Sequence, residues 1–406
     1  MDQSLQVLWG DGERVLCRGS RLGAEGERKP VLAVLHAADR PPPLALERLA
    51  HEYELRNELD GAWAARPLEF VREDGRAMLV LEDPGGEPLA RLLGQPMEIG
   101  VFLRLAIGVA AALGKAHQAG LVHRDQKPGN ILVNCADGAA RLTGFGIATR
   151  LPRERQTLAP PETIAGTLAY MAPEQTGRMN RSIDSRSDLY SLGVVFYQML
   201  IGALPFTASD PTEWVHCHVA RKPAPPGDRV ETVPVPISKI VMKLLAKAAE
   251  ERYQSAAGLE RDLRRCLAEW ERQRRIDDFP LGLSDTPDRL LIPETLYGRA
   301  REVAILLAGF ERIVQGGASE LVLVSGYSGI GKSAVVNELH KVLVPLHGLF
   351  ASGKFDQYSA TFPIRPWRRR FKALCGPYLP RATPNWGPCV TRFWKRLSRM
   401  HGSSPT

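Results

Sequence analysis

The sequence predicts an α+β fold in two unequal lobes, followed by part of an α/β domain. Three observations predict it. Short apolar runs separated by turns crowd residues 6–37, segments of helical period recur between residues 98 and 275, and an apolar run at 320–325 leads through a glycine-rich loop into a helical stretch. The 406 residues suffice for two or three domains, and 44% hydrophobic with 24% charged residues is an ordinary globular composition.

In the small lobe, expected over residues 1–83, QVLWG, RVLCRG and PVLAVLHA predict strands divided by glycine-rich or charged turns. Leu44 to Leu59 has helical periodicity, with a charge pair at Glu47 and Arg48. AMLVLE predicts a further strand, and Asp83 to Gly86 (DPGG) a flexible connection. The large lobe is expected over 84–273. Glu98 to Ala119 is a long apolar-periodic helix ended by Gly120, and ILVN and ARLTGFGIA pair around Asp137 and Gly138. Leu189 to Phe206 is eighteen residues without a charge. That is slightly short of the ~20 apolar residues that span a bilayer, and Ser191, Gln198 and Pro205 dilute it, so a buried helix is expected and no membrane span. Glu260 to Arg275, with Leu263, Leu267 and Trp270 at helical spacing, predicts a solvated amphipathic helix.

A linker rich in Asp, Pro and Leu follows at 274–296, then the partial α/β domain at 297–380 and an irregular basic tail at 381–406. The net charge of +8 belongs to the end of the chain: Thr361 to Thr406 holds ten Arg or Lys and no Asp or Glu, which leaves residues 1–360 at about −2. Trp367, Trp386 and Trp394 among those cations would suit nucleic acid or anionic lipid, but an irregular terminus is the expectation and no nucleic-acid partner is expected. The six cysteines lie far apart without paired spacing, and Met1 to Gly10 lacks a signal sequence; both predict a reduced cytoplasmic protein. His216, Cys217 and His218 are consecutive, so their side chains diverge on a helix and no metal site is expected there.

The stretch around which the chain is organised is Leu121 to Val133, LVHRDQKPGNILV. It resembles the catalytic loop H-R-D-x-K-P-x-N of eukaryotic-type serine/threonine protein kinases at every fixed position. The resemblance implies a two-lobed protein-kinase-like fold, ATP and Mg as cofactors, and a protein substrate. It makes Asp125 the base that takes the substrate hydroxyl proton, Asn130 a magnesium ligand, Lys127 a group steadying the transferring phosphate, and Arg124 the partner of a phosphorylated or acidic activation segment. Thr167, in GTLAYMAPE, would hydrogen-bond Asp125 and Lys127. Glu174 would pair with Arg252, and Asp188 would brace the loop from below. Thr157 and Thr163 are the segment's phosphorylatable candidates. Glu52, with Glu54 second, is the helix glutamate that normally pairs with a strand lysine.

Three parts of the family pattern are missing. WGDGERVLCRGSR has Gly10 and Gly12 but no third glycine of G-x-G-x-x-G; PVLAVLHA puts Ala33 or Val34 where the strand lysine stands; and Thr143-Gly144-Phe145-Gly146 replaces T-D-F-G, so the second metal carboxylate is absent. Lys29 or Arg18 is the expected substitute cation.

Gly326 to Ser333, GYSGIGKS, is a full G-x-x-x-x-G-K-[ST] match. Gly326, Gly329 and Gly331 let backbone N–H groups wrap phosphates, Lys332 reaches the terminal ones and Ser333 ligates magnesium. With the Y-G-R-x-x-E opening at Tyr297 to Glu302 it resembles AAA/STAND-type signalling ATPases. The order of the two regions resembles the N-terminal part of large bacterial kinase/ATPase/sensor histidine kinase proteins. No apolar run ending in Asp-Glu follows the loop, so the chain is expected to stop inside this domain, by truncation or an altered reading frame. Two functions compete at this stage: a serine/threonine kinase, and a pseudokinase scaffold or switch whose nucleotide sits mainly in the P-loop module.

Overall fold

A computed structural model describes residues 6–22, 27–38, 40–73, 76–150, 166–177, 182–286, 298–316, 320–327, 330–337 and 339. Thr157, Thr163, Tyr297, Gly329, the three C-terminal tryptophans and the basic tail lie outside them, as does the side chain of Ser333.

Five antiparallel strands make the small lobe: β1 (Gln6–Gly10), β2 (Arg14–Leu22), β3 (Arg28–His36), β4 (Pro67–Glu73) and β5 (Arg76–Glu82), in the order β1-β2-β3-β5-β4. β3 is central and buried at four consecutive residues, Val31 to Val34, the signature of a strand flanked on both sides. Helix α1 (Pro43–Glu54) starts on a proline, whose missing N–H is unneeded at a first helical position. Leu46, Leu49 and Glu52 are its buried residues, so one carboxylate shares the apolar face. The sequence reading missed β4, whose Leu68 is 40% exposed and whose Phe70 stacks on Tyr53 of α1 at 6.1 Å.

The large lobe comprises β6 (Glu87–Pro88), α2 (Ile99–Gln118), β7 (Leu121–Val122), β8 (Ile131–Val133), β9 (Ala140–Leu142), β10 (Thr149–Arg150), α3 (Ser185–Ile201), α4 (Pro211–Val219), α5 (Pro226–Arg229), α6 (Val235–Leu244) and α7 (Ala256–Gln273). Glu98 caps α2 by accepting the Val101 N–H at 2.8 Å, and Gly120, at φ +82°, takes the chain out of it. By length and composition α2 could cross a membrane, but 67% of its apolar window is buried inside the protein and it is a core helix. The uncharged stretch from Leu189 lies in α3 as far as Ile201, with residues 202–206 beyond the helix; Leu189, Leu192, Val194, Val195 and Phe196 are fully buried, and Phe196 meets Phe102 of α2 edge to face at 5.5 Å.

An ion pair ties the lobe together below this core. Arg252, 1% exposed, spends all five N–H donors: two on Glu174 (2.7 and 2.9 Å), one each on the carbonyls of Ala246, Arg186 and Lys247. Burial alone would raise the Glu174 carboxyl, but the Arg252 charge and hydrogen bonds and the Ser187 hydroxyl hold it below the usual range.

Next to that pair Lys247 donates to the Cys217 carbonyl at 3.1 Å, with its ammonium over the Phe206 ring at 4.9 Å. Burial first, then the Arg252 charge, push its amine down to about 7. The folded chain therefore holds fewer protons than the unfolded chain between about pH 7 and 10, and stability rises with pH through that window. The unfolding free energy from urea titration should climb from pH 7 to 9, by roughly 1–2 kcal/mol, and Lys247→Met should flatten the climb.

Toward the C-terminus the described residues form α8 (Ala300–Val314) and α9 (Lys332–Asn337). The strand expected at Glu320 to Ser325 is not formed: Leu321, Val322 and Leu323 are irregular and 74%, 45% and 88% exposed. A strand is stable only when paired, and no described strand neighbours this run.

Candidate functional site

The site is built on the turn after β7. Arg124 takes φ +68°, unusual for a non-glycine residue, and the carboxylate of Asp188 at the start of α3 holds that kink. It accepts the His123 and Arg124 N–H groups at 2.8 and 2.7 Å and meets His117 Nε2 at 2.9 Å. Gln175 Nε2 donates to the Arg124 carbonyl at 2.8 Å, which fixes the turn from the other side.

Around Asp125 the predicted residues come together. Its Oδ1 accepts both the N–H and the hydroxyl of Thr167 at 3.0 Å; its Oδ2 accepts from Asn130 Nδ2 at 3.1 Å and lies 3.7 Å from Lys127 Nζ. Burial would raise this carboxyl, but Lys127, then His123, the Thr167 hydrogen bond and Arg14 outweigh it and hold it below the usual range. Asp125 is thus an ionised acceptor at neutral pH.

Gly144, at φ +80°, faces Asn130 so closely that a Cβ there would sit 2.6 Å from the Asn130 amide carbon and oxygen. The Asn130 amide occupies the space that a side chain at position 144 would take. Among the described residues no three His, Cys, Asp or Glu side chains cluster as a metal cage. The donor set fits an ion carried in on nucleotide phosphates and met by the Asn130 amide oxygen, because magnesium is commonly held by one or two protein groups plus phosphate oxygens.

Glu52, and not Glu54, points into the cleft: Glu52 is 1% exposed and Glu54 75%. Its Oε1 accepts the Gly144 N–H at 2.8 Å, while Oε2 is buried without a hydrogen-bond donor. Neither expected substitute cation reaches it. Lys29, 66% exposed, pairs with Glu27, since β3 turns that side chain to solvent; Arg18 is locked on Asp83 (2.6 and 3.1 Å) and the Gly86 carbonyl (2.7 Å). Among the described residues the nearest cation is Arg14 of β2, with Nη2 3.8 Å from Glu52 Oε2.

The β1–β2 turn closes the cleft. The Trp9 ring lies against Gly129, where a Cβ would fall 2.3 Å from it, and Asp11 Oδ2 accepts from Lys127 Nζ at 2.9 Å. Lys127 therefore meets Asp11, and not Thr167. About 10 Å³ remains free between Trp9, Arg14, Val34 and Asn130, room for one water molecule. In sequence this segment shows two glycines, two strand-like runs and Arg18, and none of these signals marks Trp9, Asp11 or Arg14.

In the second region Gly326 and Gly331 adopt φ +152° and +91°, and Lys332 Nζ donates to the carbonyls of Gly326 and Tyr327, both at 2.7 Å. The lysine curls back over its own loop.

Comparison with known proteins agrees with both regions. The family described as Protein kinase domain matches residues 35–263, more than half of the chain, and AAA ATPase domain matches 295–399. The chain is similar to Hybrid signal transduction histidine kinase G of Dictyostelium discoideum, 36% identical over 259 residues, 59% of this chain and 7% of that protein. It is similar to Serine/threonine-protein kinase Pkn1 of Myxococcus xanthus, 36% identical over 254 residues, 62% of this chain and 36% of the relative. With Serine/threonine-protein kinase PknB of Mycobacterium tuberculosis it shares 40% identity over 152 residues, 37% of this chain and 24% of the relative. The chain thus spans about a third or less of the length of these relatives. A sheet-rich small lobe, a helical large lobe and the match over residues 35–263 make this chain a member of the protein kinase domain family, followed by an AAA ATPase domain.

Proposed function

We propose that the chain transfers the γ-phosphate of ATP to serine or threonine hydroxyls of protein substrates. The observation that carries this reading is the ionised Asp125, gripped by Thr167 and Asn130 beside Lys127. Asp125 takes the hydroxyl proton as the substrate oxygen bonds to the γ-phosphorus and the bond to the departing ADP oxygen breaks. Lys127, released from Asp11, neutralises the transferring phosphoryl group, and Asn130 holds the metal side of the nucleotide. A bound magnesium ion supplies charge neutralisation between the phosphates. A second nucleotide is assigned to the loop at 326–333, and the unpaired Cys17, Cys135, Cys217 and Cys266 fit a reducing, cytoplasmic setting.

A scaffold or switch with little transfer is the second reading, favoured by Gly144 and by Trp9 and Asp11 in the cleft. A phosphate-transfer assay with γ-labelled ATP on a general protein substrate separates the two. Transfer by the natural chain that Asp125→Asn removes supports the kinase; equal background signals from both leave the scaffold. Trp9→Ala should tighten ATP binding several-fold in a titration because the ring no longer fills the cleft; weaker binding would make Trp9 a stacking partner of the base instead.

A further inference from the structure

The cleft has a buried acid without its usual base. Glu52 Oε2 has no hydrogen-bond donor, and an unpaired carboxylate in that position is costly unless a cation answers it. The third strand cannot supply one, since Ala33 and Val34 are buried apolar residues. The neighbouring strand can. Side chains two apart on a strand share a face, and on β2 Arg14, Leu16 and Arg18 stand in that relation. The register sets Leu16 opposite Val34 and Arg14 opposite His36. Arg18 is committed to Asp83 and Gly86, Leu16 is buried, and Arg14 is left at the cleft's mouth, its side chain 25% exposed.

Arg14 is held by its backbone and free at its tip. Asp11 Oδ1 accepts its N–H at 2.7 Å, which fixes where the strand begins. Among the described residues no hydrogen bond uses its guanidinium; Glu52 Oε2, at 3.8 Å, is close enough to attract it and too far to bind it. The same guanidinium lines the space shared with Asn130 and Thr143. A forked cation with unspent donors, beside an acid that restrains it, matches the oxygens of a polyphosphate in geometry and charge.

We propose that Arg14 contacts the phosphates of a nucleoside triphosphate in this cleft, anchored by Glu52, in the place of the missing strand lysine. This rests on the cleft being a nucleotide site, though not on phosphate being transferred from it. The test is calorimetric titration with Mg-ATP and, separately, adenosine, on the full chain carrying Lys332→Ala to silence the second nucleotide loop. Adding Arg14→Ala should weaken ATP binding about 10-fold or more, as loss of charged hydrogen bonds would, while adenosine affinity stays the same. Arg14→Lys should recover part of the loss, and Lys29→Ala should change nothing. Unchanged ATP affinity in Arg14→Ala would overturn the proposal. So would equal losses for ATP and adenosine, which mark a structural role, or no ATP binding by the Lys332→Ala chain itself. The kinase reading fails by a different result, transfer indistinguishable from that of Asp125→Asn with ATP still bound.

Discussion

Asp125→Asn is expected to lower phosphate transfer by about 10²–10⁴-fold, the contribution usual for a positioned general base. The amide keeps the shape of the carboxylate and loses its ability to take a proton. Its oxygen still accepts from Thr167, whose N–H and hydroxyl converge on one atom at 3.0 Å. Its new NH₂ faces the Asn130 NH₂, which donates to Asp125 Oδ2 at 3.1 Å in the natural chain, so two donors meet. Asn130 must turn away, at a cost of about 1 kcal/mol. A small fall in melting temperature beside a large fall in labelled product is the signature expected; a large fall in both would make Asp125 a structural residue.

Arg252→Ala has the largest expected effect on stability, about 3–5 kcal/mol, because it strands a buried carboxylate. Glu174 loses two charged hydrogen bonds, and the carbonyls of Ala246, Arg186 and Lys247 each lose one. Net stabilities of domains are only about 5–15 kcal/mol, so roughly a fifth of the lobe's stability or more is at stake. Arg252→Lys keeps the charge but not the fork and should fall between the two. Urea unfolding of the three proteins measures this directly; a loss below 1 kcal/mol for the alanine variant would mean that water reaches Glu174. The carboxylate is depressed, so the natural chain keeps the pair's contribution above the ordinary glutamate range and loses it as pH falls through the lower folded-state value.

How much of this was legible in advance follows from how local each feature is. Asp125, Lys127 and Asn130 lie within one short turn, so their spacing alone brings them close, and the pairing of Glu174 with Arg252 and the place of Asp188 came through a family pattern. Arg14 had no such pattern. Its importance comes from a strand register that sets it across from β3 and from a helix glutamate that only the folded lobe brings near. Lys29 and Arg18 were equally basic in the sequence, and only the alternation of strand faces and the carboxylate of Asp83 remove them. The run at 320–325 errs in the opposite way: apolar residues in sequence say what a segment would bury, and partners decide whether it can.

The clasp between Asp11 and Lys127 joins groups 116 residues apart in the chain. On the proposed kinase reading, an incoming phosphate and the Asp11 carboxylate are rivals for the same ammonium, so apparent affinity for a nucleotide is a difference between two anions and not the full strength of either. Neutralising the resident anion, by mutation or by a partner that draws the turn away, would sharpen the response to nucleotide without altering a single residue of the catalytic loop.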